Sequence, residues 1–216
     1  MEIVYKTSRI LAYLLAVIAV LGILDVIFNI EWSSTFDNVT EWEKYDEHFN
    51  SNSTLVTLQP IVNILYYVRP ILYVGMFLFF LLLKIKMAKG SRLTFTIISG
   101  LVSSAFCLCT FGVGTLYIYD IFWIYLFSII STSALLLTFC SMLFFFARKS
   151  IQQTACIILI IAILLNLLIP VISRITLTNL SFIPMIILYP LAFAFFFYAF
   201  SKLGKQSNYA KHTESI

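Results

Sequence analysis

The amino-acid sequence predicts an all-α fold: a polytopic membrane protein built as a six-helix transmembrane bundle with both termini cytoplasmic. Three observations lead there. The 216 residues are 61% hydrophobic and only 11% charged, whereas soluble chains carry about 25% charged residues. Apolar runs recur along the chain at or near the ~20 residues needed to cross ~30 Å of hydrocarbon. Basic residues collect at alternate ends of those runs. A soluble helical protein would need polar helix faces, and these runs have none. With 21 Phe and 12 Tyr, a water-soluble fold of this size could not cover its own apolar side chains.

Residues 1–216 read as one integral membrane domain. The first span, about 10–30, follows Lys6 and Arg9. It is longer than a signal-peptide core and lacks a small-residue cleavage site behind it, so a retained helix is expected. The others are expected at about 64–85, 93–116, 121–146, 154–172 and 180–200. Lys84, Lys86, Lys89 and Arg92 fill the second turn, Arg148 and Lys149 the fourth, and Lys202, Lys205 and Lys211 follow the last span. The opposite side holds an acidic loop, a short turn at 117–120, and a loop whose charge is Arg174. The positive-inside rule then puts both termini in the cytoplasm, with the cell membrane as the expected location.

The external acidic loop, 31–62, carries six acidic residues against Lys44. Within it "TEWEKYDEHF" reads as a short helix, with Thr40 and Glu43 as a capping box and Trp42, Tyr45 and Phe49 along one face. Asn38, Asn52 and Asn179 each start an N-x-S/T pattern on the external side, a glycosylation signal only in a eukaryotic setting. All four cysteines, Cys107, Cys109, Cys140 and Cys156, lie in or beside apolar runs. They read as small packing residues, because residues two apart on a helix do not share a face for a metal. No metal and no cofactor is expected.

Polar residues inside the spans are the candidate sites. Ser99, Gly100, Ser103 and Ser104 put small side chains along span three, and Ser131 and Thr132 do the same in span four. They suit close helix packing or, alternatively, a polar path. Asn166 stands four residues before Pro170 in span five, and Pro190 interrupts span six ahead of a phenylalanine-rich stretch. Proline removes an N–H that the carbonyl four residues earlier would use.

Arg69 is the one cation embedded in a span. Fifteen residues from Lys84 place it ~22 Å toward the outside, and sixteen from Arg9 place Asp25 ~24 Å toward the same side. Arg69 and Asp25 are therefore level, and Asp120 is a second candidate partner. Three accounts stay open: a structural charge pair, a side chain reaching the headgroups, or a ligand contact.

No enzyme is expected. His48 and His212 lie outside the spans, no second carboxylate stands beside Asp25 or Asp120, and no membrane serine has a base in its span. A nucleotide-binding fingerprint is absent and the net charge of +4 reflects topology, so nucleic acid is not an expected partner. The expected function is that of a small permease or membrane accessory subunit of a transport system. Its partners would be the lipid bilayer and another membrane subunit or a second copy. The alternative is a structural, sensory or assembly protein whose acidic external loop binds a partner.

Overall fold

The computed structural model describes residues 2–36, 45–87, 90–115, 121–146, 148–176 and 184–213. These form seven α-helices: α1 (Glu2–Phe36), α2 (Tyr45–Ser51), α3 (Ser53–Met87), α4 (Ser91–Thr115), α5 (Ile121–Met142), α6 (Ile151–Thr176) and α7 (Tyr189–Thr213). A 3-10 turn, Leu143–Phe145, closes α5, and a π-helical turn, Pro184–Leu188, leads into α7. Among the described residues four stretches are long and apolar enough to cross a membrane: α1, Ser53–Lys86 in α3, Ile151–Leu168 in α6, and Ile186–Leu203 through the π turn and α7. Shorter apolar stretches, Leu93–Ala105 and Ile129–Phe145, are found in α4 and α5 among the described residues.

The helices overrun the spans expected from hydropathy. α1 starts at Glu2 and continues to Phe36, and α3 starts at Ser53 rather than near 64. The ends of the acidic loop are thus helical, and both Pro60 and Pro70 lie in the interior of α3. Asn52 explains the early start. Its Oδ1 accepts from the backbone N–H groups of Thr54 and Leu55 at 3.0 and 3.2 Å, capping α3. Its Nδ2 donates to Glu31 Oε2 (3.2 Å) and Thr35 Oγ1 (3.0 Å), tying that cap to the end of α1.

Six helices close into a ring. α1 packs on α3, α3 on α4, α4 on α5, α5 on α6, α6 on α7, and α7 back on α1. Between lipid and helix there is no hydrophobic driving force, so close van der Waals packing must hold such a ring together. Small residues make the closest approaches. A Cβ on Gly100 of α4 would stand 2.5 Å from the Phe80 ring of α3. One on Gly22 of α1 would stand 2.8 Å from the carbonyl oxygen of Ile186 in the π turn.

Phenylalanines fill the middle of the ring toward the end that carries Tyr5, Leu83 and Leu203. Phe79 of α3 meets Phe197 and Phe200 of α7 edge-on, with centroids 5.0 and 5.3 Å apart. Phe139 of α5 meets Phe196 at 4.8 Å and Phe193 at 5.8 Å. All six rings are buried, and edge-to-face pairs add about 0.5–1.5 kcal/mol each beyond their burial. The phenylalanine-rich run of the last helix is therefore filling. Three polar clips fasten the same region. Ser8 donates to the carbonyl of Phe197 (2.6 Å), Gln152 to that of Ala199 (3.0 Å), and the Cys156 thiol to that of Phe139 (3.0 Å).

Candidate functional site

At the other end of the ring Arg69 of α3 and Asp25 of α1 form an ion pair through Arg69 Nη2 and Asp25 Oδ2. A helical side chain leans toward its own N-terminus, so Arg69 extends toward the Asn52 end of α3. Asp25 is held a second time by Asn29, one helical turn along α1. Asn29 Nδ2 donates to Asp25 Oδ1 at 3.0 Å and to the Asp25 carbonyl at 2.7 Å. The two members of the pair are unequally covered: the Asp25 side chain is 6% exposed and that of Arg69 31%. The carboxylate is hidden and the guanidinium is presented.

What Arg69 is presented to is a cavity of about 250 Å³. Arg69 and Asn166 both line it, although their helices, α3 and α6, are not ring neighbours. Tyr73, Tyr189, Ile186 and Pro190 add to the wall, and Leu15, Ile18, Leu72, Met76 and Phe193 complete it. At about 30 Å³ per water, the volume suits roughly eight waters or a compact polar group. Arg69, Asn166, Tyr73 and Tyr189 are the polar residues of the described wall, and its other described residues are apolar.

A second cavity, about 540 Å³, lies along α6 and α7. Asn166 and Tyr189 belong to its wall too; the rest is apolar, with Ile161, Leu188 and Leu191 half exposed on the outer surface of the ring. A third, also about 540 Å³, lies at the opposite end between Tyr5, Met142, Gln152 and Phe200.

The small-residue stripe is placed away from Arg69. Gly100, Ser103 and Ser104 are buried on α4, Ser99 is half-buried, and Ser131 and Thr132 are buried on α5, the helix packed on α4. None of them is in the wall of the Arg69 cavity. Ser103 donates to the carbonyl of Gly100 at 3.2 Å, while the buried hydroxyls of Ser104 and Thr96 have no hydrogen-bond partner among the described residues. Asp120, Asn38 and Asn179, and the Thr40–Glu43 box, lie outside the described residues. Asn52 uses its amide as cap and clamp, and Nδ2, the atom a glycan would occupy, is one of the donors. Phe49 of α2 packs edge-on against Trp32 of α1, at 6.1 Å, in line with Phe28 and Phe36.

Asn29 and Tyr189 are not among the residues expected at a site, and Tyr73, which suits an interfacial belt by sequence, lines the cavity. The Asp25–Asn29 spacing of four was a usable signal, since it sets a donor beside a membrane carboxylate. For the tyrosines no spacing rule pointed at a cavity. Among the described residues no three His, Cys, Asp or Glu side chains gather where a metal could be held. Compared with protein-family models, curated proteins and solved structures, the chain is similar to none.

Proposed function

We propose that the chain crosses the cell membrane six times with both termini in the cytoplasm. In this reading it binds a small ligand with a polar head from the outer side, as a permease or accessory subunit of a transport system. The observation that carries this reading is the convergence of Arg69 and Asn166, from two non-adjacent helices, on one cavity. A charge at membrane depth is costly and is ordinarily kept for pairing, a pathway or a ligand. Here pairing uses the hidden carboxylate and leaves guanidinium surface facing the cavity.

Orientation is supported by the end that holds the phenylalanine plug. Lys6, Arg9, Lys84, Lys86 and Lys202 belong to that end, with Arg9 over the Tyr13 ring at 5.7 Å and Lys202 over Tyr198 at 4.7 Å. Basic residues on interfacial tyrosines suit a cytoplasmic boundary. α4 and α5 supply the remaining two crossings, their backbones running Ser91–Thr115 and Ile121–Met142. The plug closes the ring below the cavity, which favours a binding or accessory role over a standing channel. A partner subunit or a second copy would complete any path.

Two measurements test the reading. Asn166→Cys, in a background with Cys107, Cys109, Cys140 and Cys156 changed to Ser, should react in intact cells with a membrane-impermeant maleimide added outside. In purified protein, a panel of small carboxylates, phosphates and amphiphiles should contain a compound that raises Tm saturably. That rise should vanish in the Arg69→Gln/Asp25→Asn double variant. Absence of both responses would sink the proposal.

A further inference from the structure

We infer that the ligand is a single-chain amphiphile with an oxyanion head, a carboxylate or a phosphate, which enters sideways from the bilayer between α6 and α7. This rests on the ligand-binding reading of the Arg69 cavity and names the ligand class. The two cavities share Asn166 and Tyr189 in their walls, so they adjoin at these side chains, which would have to part to let a head group through. On the lipid side lies a groove of about 540 Å³ whose wall, among the described residues, is apolar apart from those two. Its volume falls within the ~300–1,000 Å³ common for small-molecule sites. On the inner side lie the guanidinium of Arg69 and about 250 Å³ of space, too little for a second chain but ample for a head group.

Charge decides the head. Among the described residues the cavity wall contains one ionised side chain, a cation, and its counter-ion Asp25 is buried and held by Asn29. Guanidinium donors left over from that pair match the paired oxygens of a carboxylate or phosphate. A soluble anion would have no use for the groove, and a neutral lipid would have none for Arg69. An acyl chain in the groove with its head past Asn166 uses both.

The test uses the purified full chain in nanodiscs of neutral phospholipid, with radiolabelled oleate as carboxylate probe and lysophosphatidate as phosphate probe. Saturable binding is expected, undisturbed by excess oleyl alcohol. It should weaken about tenfold or more in Arg69→Gln/Asp25→Asn and in Ala162→Phe, which blocks the groove. The double variant keeps a neutral hydrogen-bonding pair and so avoids a stranded charge. Ile157→Phe, on the lipid-exposed face of α6 outside the groove, should bind as the parent does. The preferred probe identifies the head as carboxylate or phosphate.

Competition by oleyl alcohol equal to that by oleate, or indifference to Ala162→Phe, overturns the inference. So does an Arg69-dependent response to acetate or inorganic phosphate alone, which leaves the polar-ligand reading standing. No Arg69-dependent response to any probe overturns both. A groove covered by a second copy would appear as a dimer that Ala162→Phe splits and oleate does not, and this too overturns it.

Discussion

Asp25 accepts from two directions, Arg69 across the helix interface and Asn29 along its own helix. Removing Arg69 strands a carboxylate that is 6% exposed, while removing Asp25 strands a cation that can still reach the cavity. Arg69→Ala should therefore cost more than Asp25→Ala, within the about 3–5 kcal/mol seen for broken buried pairs. Thermal unfolding of purified variants checks the order. Exchanging the two residues should restore only part of the loss, because Asn29 supports a carboxylate at position 25 and not a guanidinium. Ser104 is the opposite case, a buried hydroxyl without a partner among the described residues. Ser104→Ala should leave Tm unchanged or raise it, since an unmade hydrogen bond has nothing to lose. At this scale the sequence was informative wherever charge was involved: counting along the helices set Asp25 and Arg69 level. It was silent on Tyr73 and Tyr189, because an aromatic in an apolar run looks the same whether it faces lipid or a cavity.

Helix existence and order were legible from hydropathy, but helix ends were not. Hydropathy drops at the membrane boundary while backbone hydrogen bonding continues past it, so α1 and α3 extend into what read as loop. The start signal for α3 is the Asn52 cap, and a single Asn in a Ser/Thr-rich stretch does not announce which helix it serves. Asn52→Ala should lower stability by about 1 kcal/mol from the cap, with a further loss from the clamp to Glu31 and Thr35. Hydrogen exchange should report that loss locally, in faster exchange of the first turns of α3 and the last turns of α1. Gly100 shows what the small-residue stripe is for, since Phe80 is fully buried and cannot retreat. Gly100→Leu should separate α3 from α4 and cost at least the about 1–3 kcal/mol of overpacking, measured as a drop in Tm in detergent. Gly22→Val would press on the backbone of the π turn instead, and should likewise lower Tm.

For the whole molecule, composition predicted an all-helical membrane fold and the ring of helices agrees with it, but the ring's division into plug and cavity could not be read from one dimension. Nothing in the order of residues says that Phe79, Phe139 and Phe196 meet, or that Asn166 comes to Arg69. Phe79→Ala and Phe196→Ala should each cost about 3–5 kcal/mol. The two together should lose less than the sum, because they empty one connected space. The ring has one further consequence, for how the chain is made. Its last seam joins α1 to α7, where Tyr5 lies 6.1 Å from Phe200 and Ser8 grips the carbonyl of Phe197. A ribosome delivers α1 first and α7 last, so the first helix waits through the synthesis of the others with Tyr5 and Ser8 uncovered on that side. The interval before the seam closes is when a membrane chaperone or protease would meet the chain. A nascent chain stalled before α7 should be cleared quickly, whereas a permuted gene that joins the old ends should shorten the wait.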